Sequence, residues 1–161
     1  MPITQGDTLP DATLLRMGDN GPEEVQLADK LKDRKVVIFG LPGAYTGTCT
    51  TAHVPSFIEA MPALKEKGVD EVICIAVNDP FVVKQWGTDT GAHDAGITML
   101  ADPASAFTKS VDMAFTAPPV GFYDRSKRYA LVAENGTVRV IHEDEPGTCN
   151  ASGGASIVAA L

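Results

Sequence analysis

Gly40-Leu41-Pro42-Gly43-Ala44-Tyr45-Thr46-Gly47-Thr48-Cys49-Thr50-Thr51-Ala52-His53-Val54-Pro55 is a turn rich in Gly, Pro and Thr between two structured segments. The apolar run before it, Val36-Val37-Ile38-Phe39, reads as a strand buried on both faces. The segment after it, Ser56-Phe57-Ile58-Glu59-Ala60-Met61, reads as helix. The turn therefore brings one cysteine, Cys49, to a helix N-terminus. Unpaired backbone N–H groups and the positive end of the helix dipole favour a thiolate there.

Working outward, 11–17 and 24–26 read as two short strands joined by a turn at 18–22, and 27–32 as a short helix. Lys35–Leu41 is the first continuous apolar strand. The Cys49 helix is expected to reach Lys67 and stop at Gly68, with Pro55 and Pro62 bending it. A second apolar strand spans 71–77. Asn78-Asp79 then caps a helix that has Pro80 at its first position and runs to Trp86. A third strand covers 97–101, and Asp102-Pro103 opens a helix through 107–111 by the same device. Residues 112–126 read as irregular. Strands at 129–134 and 138–142 close a hairpin over Asn135-Gly136. A loop at 143–154 leads into a last helix through 157–161.

Alternating strands and helices make an α/β fold, and the closing hairpin makes its sheet mixed. A β-α-β half followed by a β-β-α half, with the reactive turn after an early strand, is the thioredoxin arrangement. Residues 1–161 are read as a single domain.

Composition narrows the function. The chain is 44% hydrophobic and 21% charged, and its net charge of −8 argues against nucleic acid or an anionic membrane as partner. No apolar run has the length of a membrane span, and the first residues do not resemble a signal peptide. A cytoplasmic, reducing location is expected. Three cysteines, Cys49, Cys74 and Cys149, share no spacing that describes a disulfide framework or a zinc site. No metal or cofactor is implied. The glycines of 40–47 lack the Gly-Lys-Ser/Thr ending of a phosphate loop, and no Cys-x-x-Cys occurs.

Lowering a thiol pKa from about 8.5 to about 6 requires about 3.4 kcal/mol of preferential anion stabilisation. A helix terminus supplies only about 0.3–2 kcal/mol of that. Thr46 offers a hydroxyl donor. Arg128, from the cluster Arg125-Ser126-Lys127-Arg128, is the best candidate for the missing cation; Arg125 and Lys127 read as a solvated turn. His53, four residues after Cys49, has three readings: general base, metal ligand, or a histidine that packs and hydrogen-bonds locally. Cys74, in an apolar strand, reads as a core residue, and Cys149 as a loop thiol able to reach another sulfur or as an incidental surface residue.

Pro42, Thr46 and Cys49 match the pattern Pro-x-x-x-Thr-x-x-Cys in register. Together with His53, Pro55, residues 75–82, 100–102 and 126–131, they make the whole chain resemble a peroxiredoxin of the type II, or peroxiredoxin-five-like, subfamily. It departs from the common pattern at Gly47 and Tyr45, where members often carry Pro and Phe. The resemblance implies a thioredoxin fold with an N-terminal extension, here the β-hairpin, and an antioxidant thiol peroxidase. Cys49 would attack hydrogen peroxide or an organic hydroperoxide, Thr46 and Arg128 would hold it, and Pro42 would shield the thiolate. The resulting sulfenic acid would be reduced by glutathione, glutaredoxin or thioredoxin, with Cys149 or Cys74 as candidate resolving thiols. A homodimer is implied, with its contact near the Cys49 turn and 112–126. The competing functions are a Cys49/His53 hydrolase and a redox-sensing interaction module.

Overall fold

The computed structural model describes residues 2–161, apart from the side chain of Cys49. Its strands are β1 (Thr13–Gly18), β2 (Gly21–Gln26), β3 (Lys35–Leu41), β4 (Glu71–Ala76), β5 (Thr98–Ala101), β6 (Ala114–Ala117), β7 (Phe122–Ser126), β8 (Tyr129–Glu134) and β9 (Thr137–Glu143). Its α-helices are α1 (Leu27–Leu31), α2 (Val54–Glu66), α3 (Pro80–Asp89), α4 (Ala106–Ser110) and α5 (Gly154–Ala160). Seven strands form one mixed sheet in the order β2-β1-β5-β4-β3-β8-β9. β5, β4 and β3 run parallel; the hairpins β1–β2 and β8–β9 flank them antiparallel. The expected α/β class and mixed sheet are thus present, and the N-terminal hairpin extends the same sheet.

Alternation along the central strands sorts side chains into two cores. Val37, Phe39 and Leu41 of β3, with Val72, Cys74 and Ala76 of β4, pack under Phe57 and Leu64 of α2, Trp86 of α3 and Ile157 of α5. Val36 and Ile38, with Ile73 and Ile75, face Leu27 and Leu31 of α1 and Phe107 of α4. Helices on both faces explain why β3 and β4 read as continuous apolar runs rather than alternating ones. Gly40 is the exception in β3. It pairs with Tyr129, whose ring fills the space a Cβ would need.

Several elements differ from the sequence reading. The 18–22 turn shrinks to Asp19-Asn20, because Pro22 is tolerated in an edge strand and pairs with Met17. α3 runs on to Asp89, with Asp79 capping it through Val82 N–H at 2.9 Å. α4 does not begin by that device. Its N-cap is Ser105 at φ 60°, and Asp102 reaches in from further back to accept from Thr108 N–H (2.9 Å) and O–H (2.8 Å). Residues 112–126 are not irregular. They form a separate two-stranded sheet, β6–β7, around a 3-10 turn at Pro118–Val120, with Phe115 and Phe122 packed edge-to-face at 6.1 Å. Pro118 and Pro119 cannot donate to a ladder, so they occupy the turn and leave the pairing to the residues on either side. The β8–β9 hairpin turns on Asn135 (φ 47°) and Gly136 (φ 78°), as a two-residue primed turn requires.

The path into α2 also differs. Helix begins at Gly47, but its ladder widens to a π-turn over Cys49–His53 before α2 starts at Val54. Pro55 has no N–H to offer the carbonyl four residues back, which breaks the α ladder at this point. Pro62 is accommodated inside α2, and Gly68, at φ 84°, follows its end.

Candidate active site

β3 ends at the turn that carries Pro42, Thr46 and Cys49, and that turn is held from three sides. Asn78 accepts from Ala44 N–H at 2.9 Å, Arg125 donates to the Pro42 carbonyl at 3.0 Å, and Tyr45 donates its O–H to Asp89 at 2.7 Å. Gly43 has φ 154°, and a Cβ there would collide with the Arg125 guanidinium. The Asp89 hydrogen bond pushes the Tyr45 phenol up to about 12 and holds the Asp89 carboxyl below its ordinary value.

Cys49 lies in the first turn of the helix that starts at Gly47, so its backbone is where the sequence places it. Its thiol, and with it the expected approach of Thr46 and Arg128 to the sulfur, lies outside the described residues. The Thr46 hydroxyl is not a spare donor. It gives its proton to the Gly43 carbonyl at 2.7 Å, so what it offers outward is an acceptor lone pair.

Arg128 is 4% exposed and His53 fully buried, and the two meet, Arg128 Nη1 donating to His53 Nδ1 at 3.1 Å. The other ring nitrogen, Nε2, carries the proton and donates to the Ser152 carbonyl at 3.0 Å; the tautomer follows from that acceptor. Phe39 and Phe57 flank the imidazole at 5.0 and 5.6 Å. Burial, and then the Arg128 charge, push the His53 pKa down to about 3. A neutral histidine with both nitrogens engaged cannot take a proton from a neighbouring thiol, which weighs against a Cys49/His53 hydrolase. A neutral ring also places no second positive charge against the Arg128 guanidinium.

A cleft of about 490 Å³ opens beside Arg128 and Pro42. Phe115, Ala117, Val120 and Phe122 of the β6–β7 hairpin line it, with Lys127 and residues 143–147. A second cleft, of about 550 Å³, lies among β1, α3 and β5 and contains none of these residues. Cys74 sits fully buried in β4, paired with Phe39 and Met99 in its neighbours, so its sulfur is enclosed by the core. Cys149 is half-buried in the loop after β9, and that loop touches the Cys49 helix, Thr48 donating to the Gly147 carbonyl at 3.3 Å.

The model of the family described as Redoxin matches residues 4–154. The chain is 39% identical to the chloroplastic peroxiredoxin-2E-2 of Oryza sativa subsp. japonica, over 99% of its own length and 72% of that protein's. The chain belongs to the Redoxin family, as a type II peroxiredoxin. Peroxiredoxin-2C of the same plant is 38% identical, with 99% of both chains covered. A crystal structure of reduced Prx3 in complex with hydrogen peroxide, from Vibrio vulnificus, superposes with a TM-score of 0.92 at 38% identity, covering 98% of each chain. This peroxiredoxin is accordingly a thiol peroxidase, with a peroxide as oxidant and a thiol as reductant.

Sequence reasoning missed three features of this peroxiredoxin's site. Arg125 is no solvated turn residue: it is half-buried, holds the Pro42 carbonyl and lies 5.3 Å from the Phe122 ring centroid. With β6–β7 unread, its side chain had no strand to give it a direction. Asn78 supports the reactive turn rather than only preceding a cap. Trp86 donates Nε1–H to Thr50 Oγ1 at 3.0 Å, tying the π-turn to α3. Neither contact leaves a local sequence signal, because the partners lie 34 and 36 residues apart.

Proposed function

We propose that Cys49 is the thiol that reacts, that the peroxide is held between Arg128 and Thr46, and that the apolar cleft admits organic hydroperoxides as well as hydrogen peroxide. The thiolate attacks one peroxide oxygen, the S–O bond forms as the O–O bond breaks, and sulfur is oxidised to a sulfenic acid. The leaving alkoxide or hydroxide takes up a proton and departs as alcohol or water. Arg128 stabilises the charge gathering on the leaving oxygen, and the Thr46 oxygen accepts the hydrogen bond of the peroxide O–H. The observation that carries this reading is the buried Arg128 cation, backed by a neutral His53 and lining one cleft with Pro42. Arg128 is the cation that adds to the thiolate stabilisation supplied by the helix start.

A thiol then attacks the sulfenic sulfur, releasing water and leaving a disulfide that a second thiol reduces. Glutathione or glutaredoxin is the proposed reductant. Cys149, on a loop that touches the Cys49 helix, is the stronger internal alternative to it, since Cys74 is enclosed. The exposed side chains of Tyr45 in the reactive turn and of Val120 and Tyr123 on the β6–β7 hairpin support a homodimer contact there.

Rapid mixing of the reduced protein with one equivalent of hydrogen peroxide or cumene hydroperoxide, followed by thiol counting and intact mass, tests the scheme. Fast thiol loss that vanishes in Cys49→Ser and falls at least tenfold in Arg128→Ala is expected. Loss indifferent to either substitution refutes it. One thiol lost indicates an external reductant, and two indicate Cys149 as resolver.

A further inference from the structure

The loop after β9 closes a hydrogen-bonded ring that begins and ends on Arg128. The Arg128 carbonyl accepts from Asp144 N–H at 2.9 Å. The Asp144 carboxylate accepts from Ser152 N–H (2.9 Å) and O–H (2.6 Å), Asn150 N–H (2.9 Å) and Ala151 N–H (3.0 Å). Ser152, fully buried, presents its carbonyl to His53 Nε2–H, and His53 Nδ1 accepts from the Arg128 guanidinium. Main chain and side chain of one arginine are thus joined through Asp144, Ser152 and His53. Partial burial pushes the Asp144 carboxyl up, but the Ser152 hydroxyl and the three amides together hold it below its ordinary value. It is a charged acceptor with every available oxygen engaged by the loop. His142, expected at the surface, is half-buried and donates from Nδ1 to the Ala151 carbonyl at 2.7 Å, holding the same loop from β9.

We infer that Asp144 is a positioning residue for the peroxidase reaction: by folding residues 144–152 into a clamp, it fixes the Ser152 carbonyl, which fixes the His53 ring, which aims the Arg128 guanidinium. This rests on the reading of Arg128 as the group that holds the peroxide. Phe39 and Phe57 bound the ring on its faces, and the Ser152 carbonyl is the acceptor that selects which nitrogen carries the proton, leaving the bare one towards the arginine. Without it the ring loses the acceptor that fixes its tautomer and tilt, and a guanidinium displaced by about 1 Å from a reacting oxygen loses up to a hundredfold in rate.

The test is the second-order rate of thiol oxidation by hydrogen peroxide in the full chain, measured for Asp144→Ala, Arg128→Ala and the double variant. Asp144→Ala is expected to slow oxidation 10- to 100-fold and to add nothing in the Arg128→Ala background. Near-ultraviolet circular dichroism and Trp86 fluorescence report that the fold is kept. Ser152→Ala, which removes only the hydroxyl arm, is expected to fall several-fold and covers the case in which Asp144→Ala does not fold. Ser110→Ala, whose hydroxyl donates to the Phe107 carbonyl within α4, away from the ring, is expected to match the unaltered chain. An Asp144→Ala rate equal to that of the unaltered chain, or the same factor lost with and without Arg128, overturns the inference. If Arg128→Ala is itself as fast as the unaltered chain, it is the reading of Arg128 that fails, and the inference falls with it.

Discussion

His53 makes the stability of this protein depend on pH in a way that one substitution isolates. Folded, its pKa is pushed down to about 3; unfolded, it returns to about 6.5. Between those values the unfolded chain binds a proton that the folded chain refuses, so stability rises with pH and is lost as pH falls from about 6.5 towards about 3. At pH 5 an unfolded histidine gains about 2 kcal/mol from protonation relative to pH 8. That figure barely changes if the folded pKa is as high as about 4, because the ring is still neutral at pH 5. His53→Gln keeps an acceptor towards Arg128 and a donor towards the Ser152 carbonyl but cannot titrate. Urea unfolding of both proteins at pH 8 and pH 5 cancels every other titrating group. The unaltered chain is expected to lose about 2 kcal/mol more than His53→Gln, or about 1 M in urea midpoint. Equal losses in the two proteins would refute a neutral, buried His53 beside Arg128.

Gly43→Ala puts a Cβ against the Arg125 guanidinium at a backbone conformation that alanine avoids. A loss of about 1–3 kcal/mol by denaturant unfolding, with slower thiol oxidation, is expected. Cys74→Ala removes a fully buried sulfur from between β3 and β5, so about 1–2 kcal/mol of stability should go while the rate of the first oxidation step stays. Asp79→Ala deletes the α3 cap and should lower the unfolding free energy by about 1 kcal/mol without changing the peroxide rate.

The core of the fold was legible because β3 and β4 are covered on both faces and their composition declares it. The Asn135-Gly136 turn was legible because few dipeptides accept two positive φ angles in succession. The β6–β7 hairpin was not, since two prolines and short strands of half-exposed residues carry no clean period. In the site, Pro42, Thr46, Cys49 and Arg128 were named from sequence by turn chemistry and a matched motif. The direction of the Thr46 hydroxyl depends on a carbonyl three residues earlier that only the folded turn brings within 2.7 Å. The role of Arg125 depends on a carbonyl 83 residues away, and that of Asp144 on a loop closing back on itself.

The apolar wall of the cleft and the strands that carry Pro42 and Arg128 belong to different sheets. Phe115, Ala117 and Phe122 sit on a two-stranded ribbon that shares no strand with the seven-stranded sheet. The Arg125 bond to the Pro42 carbonyl ties the ribbon to the end of β3, and β7 passes through Lys127 directly to Arg128, which precedes β8. The far end of the ribbon, the turn at Pro118–Val120, is where the cleft wall can vary in length or surface to suit bulkier or smaller hydroperoxides, while the end that carries Arg125 stays bound to the strands that hold the reacting groups.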